Sequence, residues 1–246
     1  MENVTKALLI AGGILISIMI VSLIVMMWGR ISGYYTERSN SKKVEQMTEF
    51  NAQYDNYNGK SVRGNELISI MNKIIDYNNS DSAMEGYDKI IINVEIGEKN
   101  KGSFKYNSED TDIFGISSGK ITNKTNDRGV SDIVNLSGSL LKEAQRIDED
   151  ITDAQLQKLS ADISNIVGSS SDDEYKIQKI KRILGNGDYK DKLGDIQNIT
   201  KKYYQYTQFK RAMFECTSVE HNTANGRVNE MNFKIEQDEN GNVKFK

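Results

Sequence analysis

Cys216 and His221 are the only cysteine and the only histidine of the chain, and a thiol beside an imidazole is a nucleophile–base pair. They stand five residues apart in a segment patterned as a strand, and an odd separation points two strand side chains to opposite faces. His221 also borders a turn. The pair therefore reads as a small buried core cysteine and an unrelated histidine. One cysteine excludes an internal disulfide framework, and with one histidine it excludes an ordinary zinc site.

Phosphate and calcium loops fail on spacing. Gly185-Asn186-Gly187 opens like a dinucleotide fingerprint, but Lys190 stands where the third glycine is needed. The segment also lies between two helical patterns rather than after a strand. No Walker A pattern occurs, and these glycines read as a helix stop and a turn. Glu236, Asp238, Asn240 and Gly241 imitate the first, third, fifth and sixth positions of a calcium loop, yet the twelfth falls beyond Lys246. Asp110-Thr111-Asp112 fails sooner, at Phe114 in the fifth position. Both segments read as turns.

The carboxylate runs Asp148-Glu149-Asp150 and Asp172-Asp173-Glu174 lie at helix starts. There they complement the helix dipole and accept from free amides, so acid–base work need not be invoked. Lys176, Lys179, Lys181, Arg182, Lys190, Lys192, Lys201 and Lys202 make residues 176–202 locally basic. A solvated helix face is the plain reading, and contact with anionic lipid or wall polymer is the functional one. The whole chain carries a net charge of −3 with 27% charged residues, unlike the basic footprint of a nucleic-acid binder. No catalytic, cofactor-binding or metal-binding residue emerges, so the expectation is a non-enzymatic protein with no cofactor and no nucleic-acid partner.

The elements that would carry these groups begin with an apolar run. From Ala7 to Trp28, 22 residues carry no charge. As a helix they cover roughly 33 Å, against about 30 Å for a hydrocarbon core. Ser17 and Ser22 can bond back to the preceding turn, and Trp28 lies where an interfacial aromatic belongs. A cleaved signal peptide has a shorter apolar region and a small-x-small site; Gly29-Arg30-Ile31-Ser32 offers none, and there is no lipobox cysteine. The run is read as a single uncleaved transmembrane helix, 7–28, behind a tail at 1–6, with the lipid bilayer as its partner. Sidedness has two readings. Arg30, Arg38, Lys42 and Lys43 follow the span and by the positive-inside rule keep the rest in the cytoplasm. The scarcity of cysteine and the Asn/Ser/Thr/Tyr-rich body suit an exported bacterial domain, and the extracytoplasmic reading is the one adopted.

Residues 29–60 form a polar, irregular stalk whose first part can continue the helix, with Tyr34 and Tyr35 at headgroup level. The head spans 61–246. Leu67, Ile68, Ile70, Met71, Ile74 and Ile75 make a helix stripe, with Asn65 as N-cap and Asn78-Asn79 as its close. Ile90, Ile92, Val94 and Ile96 alternate as a strand that returns through Phe104 and Tyr106, giving a helix and hairpin over 65–107. A loop fills 108–131 and helices fill 132–206. The first of these, 132–148, carries Leu136, Leu140, Leu141, Ala144 and Ile147. Thr152 and Gln155 form a capping box with Ile151 and Leu156 as staple, and Leu156, Leu159, Ile163 and Ile166 continue that helix. Ser171 and Glu174 open another, with Ile177, Ile180 and Leu184, that stops at Gly185. Leu193, Ile196, Ile199 and Tyr203 mark the last. A hairpin over 210–246 turns at Asn225-Gly226, with Ala212, Phe214, Cys216 and Ser218 on one face, and Val243 and Phe245 as a third strand. The fold class is α+β, a transmembrane helix followed by a mixed head of antiparallel hairpins and several amphipathic helices.

Three stretches together carry a resemblance: MENVTKALLIAGGILISIMIVSLIV, FNAQYDNYNGKSVRGNELISIMNKIIDYNN and YYQYTQFKRAMFECTSVEHNTANGRVNEMNFKIE. They resemble an uncharacterised group of single-pass, membrane-anchored proteins of low-GC Gram-positive bacteria, which implies a bacterial membrane protein and no particular activity. The plan of an apolar N-terminal helix before an α+β head is similar to that of pilins and pseudopilins. Their processing pattern, a glycine cleavage site with glutamate at the fifth position, is not met, since cutting after Gly13 puts Ile18 there. The expected role is a non-enzymatic envelope or surface component, with a minor pilin-like or secretion-system subunit as its specific form and other envelope or pilus subunits as partners. The alternative is a cytoplasm-facing adaptor or sensor that uses the basic stretch 176–202.

Overall fold

The computed structural model describes residues 2–80, 88–97, 104, 119–124, 129–169 and 172–246. The chain divides into two compact units, Met1–Gln53 and Tyr54–Lys246. Helix α1, Glu2–Asp55, supplies all the described residues of the first unit and the first two of the second, and it is long and apolar enough to cross a membrane. The hydroxyls of Ser17 and Ser22 donate to the carbonyls of Gly13 and Ile18, each at 2.8 Å. Neither serine therefore brings an unpaired polar group to the apolar surface. The helix does not become irregular after Trp28, as the stalk was expected to; it continues to Asp55. Thr36 and Thr48 bond back to Ser32 and Val44 in the same way. Gly29 and Gly33 cost roughly 1 kcal/mol each against alanine, too little to interrupt a helix that is already nucleated.

In the second unit, Gly59 at φ 69° turns the chain into strand β1, Ser61–Arg63, a strand that no local pattern announces. Helix α2, Gly64–Asn78, follows directly. Its N-cap is Arg63 and makes no side-chain cap bond, so the expected cap, Asn65, lies inside the first turn. Gly64 takes that place because a Cβ there would lie 1.9 Å from the backbone oxygen of Phe209. Leu67, Ile70, Met71 and Ile74 are buried, and Asn79 closes the helix. Asn78 then behaves as a peptide group toward Ile90, accepting from its N–H at 2.8 Å and donating to its carbonyl at 2.9 Å.

Strand β2, Ile91–Glu95, buries Ile92 and Val94. Its antiparallel neighbour is strand β3, Lys120–Thr122, which falls within the expected loop 108–131. The return strand read at Phe104 and Tyr106 is not the partner of β2. Phe104 is buried and meets the ring of Phe209 at 5.9 Å, while Tyr106 lies outside the described residues, as do Asp110, Thr111, Asp112 and Phe114.

The helix expected over 132–148 is divided at Asn135 into α3, Val130–Val134, and α4, Leu136–Gln145. Helix α5, Asp153–Ala161, opens with both arms of the Thr152–Gln155 capping box, and Ile151 and Leu156 are buried beside it. The 3–4–3 run read as one helix breaks at Asp162 into α6, Ile163–Val167; Ile163 and Ile166 stay in the core. Helix α7, Asp173–Leu184, is capped by Asp172, whose carboxylate accepts from the Tyr175 N–H. The expected cap, Ser171, lies outside the described residues. Gly185 ends α7 at φ 107°. Helix α8, Leu193–Arg211, runs past its expected end at 206.

Strands β4, Met213–His221, and β5, Val228–Ile235, complete a five-stranded sheet in the order β1-β4-β5-β2-β3. The sheet is mixed rather than built of hairpins alone, because β2 pairs parallel with β5 while the other three pairings are antiparallel. A register shift at Thr217 inserts one residue into β4. As a bulge does, it changes the phase of alternation, so Val219 rather than Ser218 enters the core behind Phe214 and Cys216. Val243 and Phe245 make isolated bridges to Gln237 and Ala212 instead of a third strand. The result is α+β. Helix α2 packs on β2, β4 and α8, and α8 in turn contacts α4, α5 and α6.

Gly64→Ala, which forces a Cβ into a main-chain carbonyl, is expected to destabilise the second unit by about 3 kcal/mol. Gly138→Ala on α4, where nothing lies within 4 Å, is expected to be neutral or to stabilise by about 0.5–1 kcal/mol. Urea midpoints of the full chain in detergent, followed by the near-UV tyrosine signal, compare the two.

Candidate functional site

The structure does not bring Cys216 and His221 together. The bulge at Thr217 removes the parity argument for opposite faces, but five strand positions still separate the two by roughly 15 Å. Cys216 is fully buried, and its Sγ donates to the Ser218 carbonyl at 3.7 Å. Burial pushes the thiol up to about 11, and the nearby Glu215 charge adds to the rise. A thiol held in that form is a poor nucleophile. His221 is exposed and its Nε2 lies 3.1 Å from Asp55 Oδ1, also exposed. That contact lies within the second unit, and among the described residues no third side chain joins it.

Gly185 and Gly187 hold no ligand cradle: a Cβ on Gly187 would strike the Tyr189 ring at 2.5 Å. Asp238 is the centre of its own turn. Its Oδ1 accepts from the Asn240 and Asn242 N–H groups at 2.9 and 2.8 Å, and its Oδ2 from the Asn242 side chain at 3.1 Å. The Asn242 bonds hold its carboxyl below the usual carboxylate range. Among the described residues no group of three or more His, Cys, Asp or Glu side chains is placed to hold a metal ion.

The carboxylates at helix starts are spent on structure. Asp148 accepts from the Tyr189 hydroxyl at 2.9 Å and from the Asp150 N–H at 3.1 Å. Asp153 accepts from the Tyr203 hydroxyl at 2.8 Å, from Ser137 at 3.3 Å and from Gln157 at 3.1 Å. Burial first, and these hydrogen bonds second, push Tyr189 and Tyr203 up to about 12. The basic stretch 176–202 is no continuous charged face. Lys176 is buried beside Asp173, Lys179 lies over the Tyr175 ring, Lys192 donates to the Ile147 carbonyl and Lys202 pairs with Glu143. Lys181, Arg182 and Lys190 remain exposed.

Two surfaces are left, and local reading assembled only the second. One face of the sheet is polar and half-buried. Asn93 donates to Glu230 at 2.7 Å and to Asn232 at 2.9 Å, and accepts from Thr122 at 2.8 Å; Asn232 donates to Ser218 at 3.0 Å. This row crosses four strands, and its donors and acceptors are largely spent on one another. It stiffens the sheet more than it offers a site. The sequence signal for it, asparagine at outward positions of two alternating strands, is visible, but the pairing that unites them is not. The second surface is the span itself, whose large apolar side chains between Leu8 and Trp28 are 48–74% exposed. No known protein family, curated protein or solved structure matches the chain.

The raised thiol and phenols fix a pH response. A neutral group with a folded pKa above its unfolded value contributes stability that is complete below the unfolded value and is lost as pH rises through the folded one. The urea midpoint is therefore expected to fall from about pH 9 upward, through about 11 for Cys216 and about 12 for Tyr189 and Tyr203. At pH 8, Cys216 in the folded chain should react with a maleimide about a hundredfold more slowly than in urea. Equal rates would contradict the burial account.

Proposed function

We infer that the protein is a non-enzymatic, single-pass component of a bacterial cell envelope, anchored by residues 7–28 with the Tyr54–Lys246 unit outside the cytoplasm. The observation that supports this is the exposed apolar length of α1. An apolar surface of this extent is costly in water, and a span-length helix with its polar hydroxyls bonded internally meets the requirements of a bilayer. The bacterial membrane and the outward unit follow from composition and from the resemblance. A pilin-like or secretion-system subunit is the specific form of this reading, with other envelope subunits as partners.

A cytoplasm-facing adaptor is the second reading, favoured by Arg30, Arg38, Lys42 and Lys43 immediately after the span. Its lipid-binding form through 176–202 is weakened by the internal partners of Lys176, Lys192 and Lys202.

Protease treatment of intact, wall-stripped cells carrying an epitope after Lys246 separates the two. Loss of the epitope with cytoplasmic controls intact is the expected outcome; survival until lysis would reverse the sidedness. Ile18→Arg near the centre of the span costs about 2.5–3.5 kcal/mol of insertion free energy. It is expected to move a large share of the chain from the membrane to the soluble or degraded fraction, whereas Ile18→Leu should leave it in place.

A further inference from the structure

We propose that Arg63, Lys210, Arg211 and Lys246 form a binding site for a phosphate-bearing ligand on the second unit. These four side chains and Asn65 line one open depression of about 250 Å³, with room for a phosphate or diphosphate group. They come from three distant parts of the sequence, and the backbone fixes their origins. Arg63 pairs with Met213 at the sheet edge. The Gly64 N–H donates to the Ala212 carbonyl at 2.8 Å, and the Lys246 N–H donates to the Arg211 carbonyl at 3.2 Å.

Their charges are unbalanced. No Asp or Glu side chain lines the depression, and among the described residues none of the four cations forms an ion pair. This occurs in a chain whose net charge is −3. Lys210 and Arg211 have an ordinary explanation, since cations in the last turn of α8 complement its dipole. Arg63 has none. It occupies the N-cap of α2, the positive end of a helix, where a carboxylate or hydroxyl is favoured and a cation is not. The Lys246 ammonium is a fourth cation, on a residue that also bears the main-chain carboxylate. An anion in the depression would turn each of these repulsions into an attraction. Two guanidinium forks favour the tetrahedral oxygens of phosphate, which they can bind bidentately.

The test is calorimetric titration of the full chain, in neutral detergent at low salt, with inorganic pyrophosphate. Saturable binding is expected. Arg63→Gln combined with Arg211→Gln should weaken it at least about tenfold, and the corresponding lysine pair, which keeps charge but loses the forks, should fall between. Lys181→Gln combined with Arg182→Gln, which removes exposed cations of α7, should leave binding unchanged. Each variant is first matched to the parent in circular dichroism and urea midpoint. No saturable heat up to about 10 mM, or equal weakening by the two glutamine pairs, overturns the proposal. Short-chain phosphatidylglycerol added to the micelles identifies the source of the phosphate. Competition with pyrophosphate that disappears in the Arg63/Arg211 glutamine pair assigns the site to a lipid headgroup, and its absence assigns it to a soluble phosphate compound.

Discussion

The second unit depends on one close approach, that of Gly64 to the carbonyl of Phe209. It sets α2 and α8 side by side where both meet the sheet, at a distance that any side chain on residue 64 would forbid. From there the order of the unit follows. The Phe209 ring packs tilted against those of Phe214 at 5.1 Å and Phe104 at 5.9 Å, joining the end of α8 to the start of β4. Because α8 is fixed at that end, its buried face of Ile196, Ile199, Tyr203 and Tyr206 is presented to α4, α5 and α6. The smaller helices are layered on α8 rather than on the sheet.

Their short length is compatible with this because polar ties replace helical continuity. Gln155 is the clearest case. It completes the Thr152 capping box by accepting from the Thr152 N–H at 2.8 Å, and its amide reaches the Ile183 and Leu184 carbonyls at 3.3 and 3.4 Å. The start of α5 thus satisfies carbonyls at the end of α7, groups that helix geometry leaves open at each terminus. Asp153 does the same between α4, α5 and α8 through Ser137 and Tyr203. Such ties consume the carboxylates and hydroxyls that would otherwise be candidates for chemistry.

What could be read from the sequence was what is decided locally. The α2 stripe, the alternation of β2, the Thr152–Gln155 box and the stop at Gly185 each depend on residues within one or two turns of one another. Non-local choices were not legible. β1 has three residues and exists because β4 offers it an edge. β3 was hidden in a turn-rich stretch, and only its pairing with β2 makes it a strand. The breaks at Asn135 and Asp162 leave the apolar spacing nearly intact, so periodicity alone runs through them. Val219 entered the core only because a bulge at Thr217 shifted the phase. The same limit governs the depression, since Lys210-Arg211 is visible as a basic pair, but Arg63 and Lys246 join it only through backbone bonds to residues 211–213.

The two units answer different physical demands, and this division constrains what the protein can be. In α1 the side chains of the span are exposed and its hydroxyls bond inward, so its order comes from helix continuity and its solvation from outside the chain. In the second unit apolar side chains are buried and most polar ones are committed to caps, turns and the asparagine row of the sheet. Asp148, Asp153, Asp172 and Asp173, the Cys216 thiol and the Asp238 turn are bonded within the fold. Charge is distributed unevenly over the described residues. Of the cations that sequence proximity grouped at 176–202, Lys176 and Lys202 have carboxylate partners, whereas among the described residues those grouped by the fold around Arg63 form no ion pair. Recognition of an anion through a fixed cationic surface requires no proton transfer and no moving part, which suits a body whose polar groups are otherwise engaged.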